Sequence, residues 1–167
     1  MDLTKQERLI IANQFRILEK LYPEEADYYS QHRKAVEEGY KLHYNWIMES
    51  LHDEMPEADC QEVLDVLDMY RALTFSCQKL KKEDAIEADE IRFPGFDGNS
   101  ETRQFSYVNY FILDLGRYNE LRYGAEYPDF NSHSPQLDKY RRMLSIWETH
   151  KEKRELNAKE IKAILEA

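Results

Sequence analysis

"CQEVLDVLDMYRALTFSCQKL", residues 60–80, decides the fold class. Cys60, Val63, Leu67, Tyr70, Leu73, Cys77 and Leu80 recur at steps of three or four residues, the signature of one helical face sustained for about six turns. A helix of that length, beginning after Pro56, forms the spine of a domain. Cys60 and Cys77 both lie on it. Their separation of 17 residues corresponds to about 25 Å at 1.5 Å per residue, far outside disulfide reach within one chain. They read as two reduced, half-buried thiols.

Upstream, Thr4 followed by Glu7 has the spacing of a capping box, so a helix begins there. Ile11, Phe15, Leu18 and Tyr22 form its core stripe, widened by Ile10, Ile17 and Leu21, and Pro23 stops it. A second, peripheral helix spans Glu24 to Glu38, thin in aliphatics and closed by Gly39 in the left-handed region. "YKLHYNWIMESL", 40–51, predicts a third, with Leu42, Trp46 or Ile47, and Leu51 at helical spacing.

Downstream of the spine the period is lost. Ile91 and Phe93, with Arg92 between them, suggest at most one short extended segment near 91–93. A fifth helix carries Phe105, Val108, Ile112 and Leu115, with Gly116 near its end. Ser134 as N-cap and Pro135 at the first helical position predict a sixth, bearing Leu137, Tyr140, Leu144 and Trp147. Asn157, with Glu160 three residues on, caps a seventh bearing Ile161, Ile164 and Leu165. Neither repeats nor a linker are visible. The expectation is an all-α, compact single-domain bundle of about seven helices over residues 1–167, a length that also fits two tightly joined halves.

The totals agree. Five glycines and five prolines in 167 residues favour long helices over an all-β design. No apolar run approaches the roughly 20 residues of a membrane span, and the N-terminus enters a charged amphipathic pattern without a signal-peptide core, so a cytoplasmic protein is expected and no membrane partner. The net charge of −10 disfavours binding to phosphate backbones, and nucleic acid is not an expected partner. The charge is uneven. Glu49 to Asp68 holds eight acids and no Lys or Arg, whereas Lys139 to Lys162 holds eight bases against four acids. Solvated helix faces account for both segments, and acid-to-base pairing within the fold or between subunits is the alternative.

The spacings of phosphate loops, dinucleotide folds, serine hydrolases, zinc proteases and Cys-x-x-Cys zinc sites are all absent. The five histidines are scattered, and none stands three or four residues from another. Glu62, Asp65 and Asp68 share one side of the spine helix, a pattern that could hold Mg²⁺, but the Glu-x-x-His pairs of di-metal bundles are missing. No catalytic residue, metal or cofactor is therefore assigned. Twelve tyrosines are many. Tyr22, Tyr70 and Tyr140 fall on core stripes, whereas Tyr28, Tyr107, Tyr110, Tyr118, Tyr123 and Tyr127 fall outside them and suit an interface.

"IRFPGFDGNSETRQF", 91–105, is the one stretch that looks placed. Pro94-Gly95 suits the centre of a type II turn, Asp97-Gly98 a second turn, and Asn99 or Ser100 a cap for the next helix with Glu101 at its positive end. Phe93 and Phe96 would then pin the corner to the core. The functional alternative is an anion or small-ligand site formed by Arg92, Phe93, Phe96, Asp97 and Arg103.

"LTKQERLIIANQF" (3–15), "MYRAL" (69–73), "FPGFD" (93–97), "GRY" (116–118), "KYRRML" (139–144) and "LNAKEI" (156–161), in this order along the whole chain, resemble the bacterial YfbU family. The resemblance implies an intracellular, mainly helical bacterial protein of a family without an assigned activity or catalytic residues. The combined reading is a cytoplasmic, non-catalytic interaction or regulatory protein that self-associates as a homo-oligomer and has a possible protein partner. The alternatives are a small-molecule sensor or enzyme with its pocket near 92–103, and a nucleic-acid-linked regulator using the basic C-terminal helices.

Overall fold

The structure, a computed structural model, describes residues 2–87, 89–126, 128–150 and 154–167. Among the described residues there are seven α-helices and no β-strand, as the apolar periodicity predicts. The sole ladder-type pairing described is an isolated parallel bridge between Phe96 and Asn131, so the extended segment expected at 91–93 does not form a strand. The chain divides into two compact units, Met1–Glu54 and Met55–Ala167.

In the first unit, α1 (Lys5–Leu21) and α2 (Ala26–Glu38) form a helical hairpin. The Thr4 hydroxyl accepts from the Glu7 N–H at 3.2 Å and the Glu7 carboxylate accepts from the Thr4 N–H at 2.7 Å, completing the predicted capping box. Gly39 ends α2 at φ +76°, with the Tyr40 N–H reaching back to the Ala35 carbonyl. Arginines of both helices tie the hairpin. Arg8 of α1 donates to the Val36 and Glu37 carbonyls in the last turn of α2, at 2.7 and 2.6 Å. Arg33 bridges Glu19 and Glu37 at 2.6 and 2.9 Å.

The apolar stripe of α1 does not become a core. Ala12 is its only buried residue, Ile11, Phe15 and Leu18 are half-buried, and Ile10, Ile17, Leu21 and Tyr22 are exposed. The facing helix offers chiefly Ala35 and Val36, and Ile10, Ile17 and Leu21 lie on the side of α1 opposite Ala12, turned away from it. The third helix is also shorter than its pattern suggests. A 3₁₀ turn at Lys41–His43 leads into α3 (Tyr44–Ile47), and Leu42, Trp46 and Leu51 face solvent.

The second unit is built around α4 (Glu57–Lys79), which contacts α5 (Thr102–Asn109), α6 (Leu137–Trp147) and α7 (Ala158–Leu165). Val63, Val66, Leu67, Met69, Tyr70, Ala72 and Leu73 are all buried, so α4 is enclosed on more than one face. Cys60 and Cys77 are free and half-buried, with Cys77 Sγ directed at the Ile86 carbonyl. Helix α7 carries the predicted box: Asn157 accepts from the Lys159 and Glu160 N–H groups, and Glu160 accepts from that of Asn157.

Two caps differ from expectation. Helix α6 begins at Leu137, beyond Ser134-Pro135, and its leading Gln136 and Leu137 N–H groups both donate at 2.7 Å to the carboxylate of Glu101. Glu101 itself stands at the N-cap position of α5 without capping it by side chain. A carboxylate distant in sequence thus takes the positive end of α6, which local spacing does not encode.

Candidate functional site

The corner at 91–105 is a packed junction. Phe93 and Phe96, 3% and 0% exposed, stack among Tyr70, Phe130 and Tyr140 with ring centroids 5.0–6.1 Å apart. Gly95 has φ +90°, and a Cβ there would lie 1.8 Å from the Phe130 carbonyl oxygen, so the close approach of the two segments requires glycine. The Phe96 N–H donates to that same oxygen at 3.0 Å, and the Tyr140 hydroxyl donates to the Gly95 carbonyl at 2.6 Å. Burial, then the neighbouring Tyr70 and Glu101, raises the Tyr140 pKa far above the ordinary tyrosine value, which keeps its proton in place as a donor.

Asp97 is buried and occupied locally. Its carboxylate takes the Ser100 hydroxyl at 2.5 Å and the Asn99 and Ser100 N–H groups at 3.2 Å each. These groups therefore serve Asp97 rather than capping α5. Arg92 is exposed, its guanidinium 5.6 Å from the centroid of the Tyr123 ring, and Arg103 is exposed in the first turn of α5. Of the five candidate ligand residues, Phe93, Phe96 and Asp97 come together as packing, while both arginines lie on the outside.

A second constellation follows α5, which gave no sequence motif. The helix passes into a π-helical turn, Tyr110–Asp114, a distortion common at functional sites. Tyr118 and Tyr123 then adopt left-handed backbone at φ +50° and +49°, a conformation costing an L-residue about 1–2 kcal/mol. Both side chains are engaged in compensation. The Tyr118 hydroxyl donates to Asp68 at 2.7 Å, and the Arg71 guanidinium lies 3.8 Å from the Tyr118 ring centroid while donating to Glu120. Burial and then the Asp68 bond raise the Tyr118 pKa well above its usual value. The Tyr123 hydroxyl donates to the Ile91 carbonyl at 3.3 Å and accepts from the Phe93 N–H at 3.1 Å, taking over backbone groups that a strand partner would have satisfied.

Asp68 and Arg71 border a cleft of about 540 Å³ between α4 and the end of α6. Asp65, Glu148 and Arg154 complete its charged lining, with Ala72, Phe75 and Trp147 as its apolar part. The YfbU domain model matches residues 1–167, the whole chain. The chain belongs to the YfbU family. It is 39% identical over 169 residues to the UPF0304 protein MJECS11 of Methanocaldococcus jannaschii, an alignment covering 99% of each chain. That relative is archaeal, so the family is not confined to bacteria.

The YfbU-family chain uses its acidic stripe for pairing. Glu62 takes Arg141 in a two-pronged bond at 2.7 and 3.0 Å, Asp65 accepts from Gln61 at 2.8 Å, and Asp68 takes Tyr118. The Glu62–Arg141 pair joins the acidic and basic segments within one unit. Lys151, Glu152 and Lys153 of the basic segment, and Tyr127 of the surplus tyrosines, lie outside the described residues. Among the described residues no three His, Cys, Asp or Glu side chains are grouped to hold a metal, and no helix is long and apolar enough to cross a membrane. Of the other surplus tyrosines, Tyr107 is partly buried against the core, and Tyr28 and Tyr110 remain exposed.

Proposed function

We propose that this YfbU-family protein acts by binding, in the cytoplasm, and that it self-associates through the outer face of its N-terminal hairpin. The observation that carries this reading is the exposure of Leu9, Ile10, Ile17, Leu21, Leu42, Trp46 and Leu51, each between 51% and 80% accessible, in a unit that buries almost nothing. Ile10, Ile17 and Leu21 fall within roughly 40° of arc on α1 at 100° per residue. These three form one stripe, whereas Leu9 lies about 100° away on α1 and Leu42, Trp46 and Leu51 follow the hairpin. A second copy is the occupant, because a two-fold contact places this same α1 stripe on both partners and covers both at once.

Light scattering at micromolar concentration tests the proposal. The expected mass is twice the 20.1 kDa of the chain. Replacing Ile10 and Ile17 together by Glu should give the monomer mass while leaving helicity unchanged. A wild-type monomer, or a double variant that still dimerises, refutes the assignment.

A further inference from the structure

The cleft between α4 and α6 presents both signs of charge and an apolar wall, and a single small molecule can use all three. From the carboxylates of Asp65, Asp68 and Glu148, the guanidinium groups of Arg71 and Arg154, and the exposed ring of Phe75, we infer that it binds a small zwitterion of the α-amino-acid class with an apolar side chain. Its volume of about 540 Å³ lies within the range of small-molecule sites. The ammonium meets the carboxylates, the carboxylate meets the arginines, and the side chain covers Phe75 and Ala72.

The composition of the lining selects against simpler ligands. Three carboxylates repel phosphate or a bare organic acid, and two guanidinium groups repel a bare cation. A molecule carrying both charges gains from the carboxylates and from the guanidinium groups together.

Arg71 and Asp68 are also held in position. Arg71 is fixed from outside the cleft by Glu120 and by the Tyr118 ring, and Asp68 by the Tyr118 hydroxyl. A carboxylate accepts at several lone-pair sites, so the Tyr118 bond leaves Asp68 capacity for an ammonium. The backbone of Arg154 is tied to α4 through buried Ser76, whose hydroxyl donates to the Arg154 carbonyl at 3.4 Å and accepts from the Leu156 N–H at 2.9 Å. Left-handed Tyr118 is thus retained where its side chain orients two cleft residues at once.

The experiment is calorimetric titration of the full chain with L-phenylalanine and L-leucine, beside phenethylamine, which lacks the carboxylate, and 3-phenylpropionate, which lacks the ammonium. One of the amino acids should bind, and the analogue missing either charge should bind at least tenfold more weakly. Asp65→Asn and Arg154→Met alter partly or fully exposed side chains and should keep the wild-type melting temperature while each weakens binding at least tenfold. The inference is overturned if neither amino acid binds at 10 mM, if either single-charge analogue binds as well as the amino acid, or if both variants retain wild-type affinity. Repeating the titration on the Ile10→Glu, Ile17→Glu double variant separates the cleft from self-association, since cleft binding is expected unchanged there.

Discussion

Glu101 is the residue on which the second unit is expected to depend most sharply for its size. Its carboxylate is 5% exposed and accepts three backbone N–H groups: Asp97 at 2.9 Å on one oxygen, and Gln136 and Leu137 at 2.7 Å each on the other. It ties the corner at 97 to the first turn of α6 and supplies the negative charge that a helix N-terminus favours. Glu101→Ala strands all three donors. Each costs about 1–3 kcal/mol when left unsatisfied, and partial relaxation brings the expected total to about 3–5 kcal/mol. Glu101→Gln keeps one acceptor oxygen but turns a donor toward the remaining N–H, for a loss of about 2 kcal/mol. At roughly 4 °C per kcal/mol for a unit of this size, the alanine variant should melt about 12–20 °C lower.

Urea unfolding followed by tryptophan fluorescence in a Trp46→Phe background is the assay, because Trp147 then reports the second unit alone. The slope with denaturant should be unchanged and the midpoint should fall. An alanine variant within 1 kcal/mol of its parent would refute the capping role assigned to this carboxylate.

Three further outcomes follow from the corner and its surroundings. Gly95→Ala drives a methyl group into the Phe130 carbonyl and should cost more than about 4 kcal/mol, whereas Gly116→Ala, at φ +63° with open space around it, should cost about 1 kcal/mol; thermal melts of the pair distinguish contact from backbone strain. Tyr140→Phe leaves the Gly95 carbonyl without its donor and should lower stability by about 1–3 kcal/mol in the same urea assay, and a neutral result would contradict the buried bond. The Ser100 hydroxyl, aided by the Asn99 and Ser100 N–H groups, holds the Asp97 carboxyl below the ordinary aspartate value of 3.8 against the opposing effect of burial. The unfolded chain therefore binds more protons around that value. The stabilisation is complete above about pH 5 and is lost as the pH falls through 3.8 toward the lower folded value. Asp97→Asn should accordingly show a smaller drop in urea midpoint between pH 6 and pH 3 than the parent protein.

Local information was sufficient for most of the helices, though not for the extent of α3 or the start of α6. The three- and four-residue recurrence through Cys60–Leu80, the boxes at Thr4 and Asn157 and the left-handed Gly39 all involve partners within five residues, and each appears where the spacing places it. Which apolar face becomes core depends on where the opposite element packs. Hence Ile17 and Leu21, on the side of α1 opposite buried Ala12, are turned away from α2 and remain exposed. The same distinction governs the polar groups. Glu101 reads as a carboxylate suited to the helix beside it, yet it serves one that begins 36 residues later. Tyr118 and Tyr123 read as surplus, yet they satisfy Asp68 and the 91–93 backbone. Sequence by itself determined the elements because their hydrogen bonds close within a turn. The tertiary structure decided burial, the α6 cap and the cleft, because their partners lie tens of residues apart and meet only when the chain has packed.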